Sequence, residues 1–227
     1  TTGSFATSIS PGPVAETSQT VTFQVTNNNN ALFTVQPAIS SNGTLTFTPG
    51  NSGGTATITV IAIDNGGTAY GGMNTSTPQT FTITVITPIE AWRQTYFGSP
   101  ANSGSGADDF DFDRDGLVNL LEYGLVLSPT GFSSAPSATV ATYPEGKRLR
   151  MFLSRDPGRY DVTLEVQAGD DLVGWTTIAT SALGAPFSGP GYVVGDSASP
   201  GVKTVEIRDV VNIANAPRRF LRVKVTR

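Results

Sequence analysis

A run of acidic residues in the middle of the chain has the residue types and spacing of a metal-binding loop. The pattern is D-x-D-x-D-G-x5-E, with oxygen-bearing side chains at Asp111, Asp113, Asp115, Asn119 and Glu122. Alternate side chains of a tightly curled loop converge on one point, and a hard cation takes about six to eight oxygen ligands. The spacing therefore predicts a site for such a cation.

The residue types at the other positions of this loop also suit a metal site. Gly116 permits the positive φ that turns the chain back. Leu117 offers its main-chain carbonyl, and Glu122 can close the shell with both carboxylate oxygens. Because magnesium keeps several of its waters, a ligand set supplied mostly by protein favours calcium. We therefore predict a Ca²⁺ site with the ligands Asp111, Asp113, Asp115, Leu117, Asn119 and Glu122.

An alternative explanation of the loop is a solvated acidic turn that only caps the helix that follows. Capping needs one acid, whereas three aspartates at alternate positions repel one another unless a cation lies between them. Asp108 and Asp109 precede the loop directly. They are either additional ligands or solvated acids.

The rest of the composition excludes several kinds of chemistry. The 227 residues include no Cys and no His, which excludes disulfides, thiol chemistry, Cys/His zinc sites and His-based general bases. The net charge of −4 argues against a nucleic-acid partner. No apolar run is long enough to predict a membrane span. Only 14% of residues are charged, as is usual for secreted all-β modules, so we expect an extracellular or cell-surface location.

The charge is unevenly distributed and divides the chain. Residues 1–87 contain no Lys or Arg, residues 88–128 contain seven acids and two Arg, and the remainder has a basic surplus of three (12 − 9). We predict a β-sandwich over residues 1–87, a helix–calcium loop–helix connector over 88–130 and a C-terminal β-sandwich over 136–227. The expected fold class is therefore mainly β, with two antiparallel β-sandwiches joined by a short helical connector.

The first segment alternates apolar and polar residues, the pattern of half-buried strands. The alternating stretches are Val21–Thr26, Ala31–Val35, Thr44–Thr48, Thr55–Ile63 and Gln79–Ile86. The residues FTVQPAISSNGTLTFTPGNSGGTATITVIAIDNGG, with PQTFTITV, resemble the bacterial immunoglobulin-like and cadherin-like repeats of large secreted surface proteins. The acid clusters that bind calcium between cadherin-like repeats are absent from this segment.

Repeats of this kind usually begin with one further strand, before a segment like FATSISPGP. Two alternatives follow from its absence here. The domain is truncated, or its first strand comes from upstream or from a neighbouring copy. In the second case subunits would chain together by strand donation and build a filament.

Two helices are predicted around the acidic loop. TPIEAWRQTYFG favours an amphipathic helix of about two to three turns that starts at Pro88. The leucine spacing after Gly116 favours a second helix over Leu117–Leu127, which Ser128-Pro129 ends. DGLVNLLEY also resembles the dockerin-type and related single calcium loops of secreted bacterial proteins, which implies the same ligand residues. A dockerin has two such loops and this chain has one, so cohesin binding is not expected.

The third segment again has the alternation of strands. The stretches are Arg148–Arg155, Tyr160–Ala168, Gly174–Thr180, Lys203–Val210 and Arg218–Thr226. AWRQTYFG, the acidic loop, DLVGWTTIA and RRFLRVKV together resemble the C-terminal end of large secreted bacterial proteins. The adjacent acids Asp170 and Asp171 are typical of a turn before Trp175, so we do not expect an enzyme.

These patterns favour a non-enzymatic, extracellular structural or adhesive module of a large bacterial surface or secreted protein, stiffened by calcium. Its expected partners are calcium and either neighbouring copies of itself or surface polysaccharide. The alternative is an accessory carbohydrate-binding region of a secreted polysaccharide-degrading enzyme. In that case Trp175, Tyr160 and Tyr192 would form an aromatic platform for sugar, whereas a buried Trp175 would favour a purely structural role.

Overall fold

The computed structural model of the protein describes residues 5–69, 72–216 and 218–227. The chain forms two compact units, Thr1–Ile86 and Thr87–Arg227. The predicted first segment therefore corresponds to the first unit, except that residues 1–4, 70 and 71 lie outside the described part. The helical segment and the C-terminal strands, which the sequence predicts as separate segments, belong to one unit.

The first unit consists of short antiparallel strands. Its strands are β1 (Val21–Asn27), β2 (Phe33–Ile39), β3 (Leu45–Pro49), β4 (Gly54–Asp64) and β5 (Gln79–Val85). One sheet has the order β1-β4-β5, and β2 pairs with β3 in a second. Alternate residues of these strands contribute to a small buried core of Leu32, Phe33, Ala56, Ile58 and Ile83.

The second unit contains the longer strands and the larger core. Its strands are β6 (Ala138–Tyr143), β7 (Gly146–Arg155), β8 (Thr163–Gly169), β9 (Thr176–Ala182), β10 (Tyr192–Val194), β11 (Lys203–Arg208) and β12 (Phe220–Thr226). One antiparallel sheet has the order β10-β11-β7-β6 and the other β12-β8-β9. Met151 and Ile207 of the first sheet and Val166 and Ile178 of the second belong to one buried cluster, so the two sheets share a core.

The first helix, α1 (Pro88–Phe97), begins at Pro88 as predicted, and its ten residues agree with the predicted two to three turns. The Thr87 side chain accepts a hydrogen bond from the Glu90 amide, and the Glu90 carboxylate accepts one from the Thr87 amide. This reciprocal pair satisfies two of the free N–H groups at a helix start. Gly98, with φ of 74°, ends the helix in the left-handed conformation that glycine adopts without strain.

The second helix, α2 (Asn119–Leu125), is shorter than the predicted helix over Leu117–Leu127. Val118 is extended, because this part of the chain still belongs to the acidic loop, and Val126 has a left-handed φ of 60°. Leucine periodicity alone therefore overestimated both ends of the helix. Among the described residues, no helix has the length and apolar character needed to cross a bilayer.

The second helix packs very closely against the sheet β12-β8-β9. A Cβ built on Gly124 would lie 2.7 Å from Val225 Cγ1 and 3.0 Å from Leu164 Cδ2. Only glycine therefore fits at this position without movement of its neighbours. The helix that carries the end of the acidic loop is thus fixed to the C-terminal sheet.

Candidate metal centre

The acidic loop is wound around the side chain of its first aspartate. Asp111 Oδ1 accepts a hydrogen bond from the Arg114 amide at 2.7 Å, and Asp111 Oδ2 accepts one from the Gly116 amide at 2.9 Å. Arg114 and Gly116 both have a positive φ, of 63° and 95°. Gly116 thus has the backbone conformation that the sequence predicts, and Arg114 is a second left-handed position that the motif did not indicate.

The three aspartates of the loop come together. Asp111, Asp113 and Asp115 each place one carboxylate oxygen within 4.8 Å of the others, close enough for one ion to contact all three. Asp115 Oδ1 accepts from the Leu117 amide at 2.8 Å, and Asp115 Oδ2 accepts from the Ser133 amide at 2.6 Å. Asp113 Oδ2 is buried and has no hydrogen-bond partner. The cluster therefore offers one buried oxygen atom, Asp113 Oδ2, that the protein itself leaves unsatisfied.

Glu122, at the last position of the pattern, has the most unusual environment. Its side chain is 0% exposed, and neither carboxylate oxygen has a hydrogen-bond partner. Burial, followed by the negative charges of the three loop aspartates, raises the pKa of the Glu122 carboxyl from 4.5 to about 7. A buried carboxylate without a donor or counter-charge is unfavourable, so this arrangement requires a proton or a cation.

Two hydrogen bonds fix the orientation of the Asn119 side chain. Its amide nitrogen donates to the carbonyls of Ser105 and Ala107 at 2.9 and 2.7 Å, which uses both N–H bonds and fixes the amide orientation. Asn119 Oδ1 is left buried and without a partner. This oxygen is therefore free to bind a cation directly or through a water molecule, as the ninth position of such a loop often does.

Leu117 lies between the loop and α2, and its side chain is buried. The side chain packs in the protein, so only its main-chain carbonyl is suited to the ligand role predicted from the sequence. The six predicted ligands would all supply oxygen atoms, and Asp111, Asp113 and Asp115 are the members that lie within 4.8 Å of one another. Hard cations prefer such a set.

The two acids before the loop have other environments. Asp108 pairs with the guanidinium of Arg93, which is 1% exposed and also donates to the Gly106 carbonyl at 2.9 Å. Asp109 is exposed. Asp108 therefore anchors α1 to the start of the loop. The sequence pattern does not indicate this role, because Asp108 and Arg93 are 15 residues apart.

The candidate sugar-binding rings are not brought together. Trp175 is half-buried beneath the Arg222 guanidinium at 4.2 Å, and Tyr192 lies beneath that of Arg148 at 5.0 Å. Within the described ranges, no ring contact joins Trp175, Tyr160 and Tyr192. Asp171 accepts hydrogen bonds from the Val173 and Gly174 amides, as a turn residue does. The predicted aromatic platform therefore has no support in the geometry.

The three aspartates of the loop are close enough to hold a cation together. Comparisons of the chain with protein-family models, curated proteins and solved structures find no match.

Proposed function

We propose that the protein is a calcium-stabilised structural module of a bacterial surface or secreted protein. The observation that carries this proposal is the buried Glu122 carboxylate, whose two oxygens lack any partner while three aspartates lie close enough to share one ion. Calcium is favoured over magnesium because most of the oxygens come from protein. Calcium that binds the folded state and not the unfolded chain stabilises the fold.

The role of the ion is structural in this proposal, because the loop is tied to the rest of the second unit at several points. Asp108 joins the start of the loop to α1, Ser133 joins Asp115 to the segment before β6, and Gly124 packs α2 against the sheet. An ion at the loop would therefore hold together elements that are far apart in sequence. The expected result of a calcium titration is one bound ion per chain.

We also propose that each unit is a β-sandwich and that the module works outside the cell. The shared core of the sheets β10-β11-β7-β6 and β12-β8-β9 supports the sandwich arrangement in the second unit. An extracellular location would supply the millimolar calcium that a site of moderate affinity needs.

Self-association by strand donation is the proposed route to partners. Among the described residues β5 pairs only with β4, so it is an edge strand, and it has no charged residue and no proline to protect that edge. A groove of about 290 Å³ lies beside it, lined by apolar side chains that include Phe5, Phe23 and Phe81. An added strand from a neighbouring copy would cover both the edge and the groove.

The alternative function, an accessory carbohydrate-binding region, has one observation in its favour. Phe152 and Tyr192 expose 46% and 42% of their surface on the sheet β10-β11-β7-β6, where Arg150 also lies. If this function is correct, a glycan array gives specific binding that Phe152→Ala and Tyr192→Ala both abolish. Ordered fibres in electron micrographs, without glycan binding, favour the structural function instead.

A further inference from the structure

Two charged side chains, those of Asp161 and Arg159, contact Tyr123, the residue that follows Glu122. Tyr123 is 1% exposed, and its hydroxyl donates a hydrogen bond to Asp161 Oδ1 at 2.7 Å. The Arg159 guanidinium lies 4.6 Å from the centre of its ring and donates to its main-chain carbonyl. Because Tyr123 and Glu122 are adjacent in α2, any movement of one moves the other.

Asp161 connects this tyrosine to the start of α1. Its second carboxylate oxygen accepts a hydrogen bond from the Ile89 amide at 2.7 Å. The Glu90 amide next to it is satisfied by Thr87, so Asp161 and Thr87 together complete the first turn of the helix. This turn is the point where the chain enters the second unit, which begins at Thr87.

A small apolar cluster reinforces the same connection. It consists of Ile89, Trp92, Tyr123 and Val162, all buried. The Trp92 and Tyr123 rings meet edge to face, with their centroids 5.3 Å apart. Side chains that pack in one cluster form a cooperative unit, so α1 and α2 are expected to be ordered together.

We propose that calcium binding at the acidic loop stiffens the point where the chain enters the second unit, with Tyr123 and Asp161 as the connecting residues. This inference rests on the proposed calcium site. Without a cation, repulsion between the Glu122 carboxylate and the loop aspartates favours displacement of α2, and Tyr123 then loses its contact with Asp161. The Ile89 amide would lose the same anchor. The start of the second unit would thus be more rigid with calcium than without it.

Hydrogen exchange of the Ile89 amide tests this inference in the 227-residue chain, with calcium and then with chelator. Calcium is expected to slow the exchange about tenfold or more. Tyr123→Phe keeps the ring and removes the hydroxyl donor, so it should retain calcium binding while the protection of Ile89 by calcium falls to about twofold or less. Asp161→Asn has one carboxamide oxygen and cannot accept hydrogen bonds from both Tyr123 and Ile89, so it should also lower the protection of Ile89 by calcium. This variant replaces Tyr123→Phe if the Tyr123→Phe protein does not fold.

Tyr96→Phe is the matched control, because it removes the hydroxyl of an exposed tyrosine in α1 and should leave the protection unchanged. The inference is overturned if the wild-type chain binds calcium in a titration and the exchange of Ile89 does not change. Full protection in a folded, calcium-bound Tyr123→Phe protein would equally overturn it. A wild-type chain that binds no calcium contradicts the proposed site itself, so the two failures are distinguishable.

Discussion

Glu122→Gln is expected to change the stability of the protein in opposite directions with and without calcium. In buffer that contains calcium, the variant lacks a charged ligand that supplies two oxygens. The calcium affinity should therefore fall about a hundredfold, which is a loss of about 2.7 kcal/mol of binding free energy. In a calcium-depleted buffer at pH 8 the variant should be more stable than the wild type. The reason is that it removes a buried negative charge that has no partner.

The size of the second effect follows from the pKa of the Glu122 carboxyl. Its rise from 4.5 to about 7 corresponds to about 3 kcal/mol at 1.36 kcal/mol for each tenfold change in proton affinity. A pKa that is higher in the folded state makes the calcium-free protein lose stability as the pH rises from about 4.5 through about 7. At pH 8 the full destabilisation is present, and Glu122→Gln removes most of it.

Denaturant unfolding in calcium and in chelator measures both effects. Asp109→Asn is the matched control, because it neutralises an exposed acid beside the loop and should leave calcium affinity and stability within about 0.5 kcal/mol of the wild type. If Glu122→Gln destabilises the protein equally in both buffers, the carboxylate has an ordinary packing role. The proposed ligand assignment would then be incorrect.

Removal of calcium from the wild-type protein is expected to destabilise the second unit alone. An ion present at a hundredfold excess over its Kd adds about 2.7 kcal/mol to the free energy of unfolding. For a unit of this size the unfolding temperature should fall by about 5–10 °C. The first unit, Thr1–Ile86, contains only two acids and no predicted ligand, so its transition should stay in place.

Scanning calorimetry in calcium and in chelator measures the two transitions, and a separate fragment of residues 1–86 identifies which one belongs to the first unit. Magnesium at the same concentration as calcium is the control for ionic strength and for unspecific binding. A shift of the first transition, or identical curves with calcium and chelator, would show that the loop does not stabilise the second unit.

Sequence spacing predicts the cluster of three aspartates because the cluster is local. Asp111, Asp113 and Asp115 converge through the winding of a few residues, and Gly116 has the backbone conformation expected of it. The main strands were equally predictable. In β1, buried or half-buried residues alternate with exposed ones, and β4 buries Ala56 and Ile58. Local periodicity contains this information directly.

The parts that were not predicted depend on contacts between distant residues or on weak local patterns. Tyr123 and Asp161 are 38 residues apart, and nothing in their local sequence indicates the hydrogen bond between them. The strands β6 and β10 were missed because β6 is largely exposed at the edge of its sheet and β10 has only three residues. Edge strands have little burial to impose an alternation of residue types.

Calorimetric titration of calcium into the calcium-depleted 227-residue chain measures the binding on which the proposed function depends. We predict one bound calcium ion per chain with a Kd of about 10⁻⁶–10⁻⁴ M, and binding of magnesium at least about tenfold weaker. Asp113→Asn, which alters a buried oxygen of the cluster, should weaken calcium about tenfold or more. Absence of binding at millimolar calcium, or an Asp113→Asn protein that binds calcium as tightly as the wild type, would contradict the proposed calcium site.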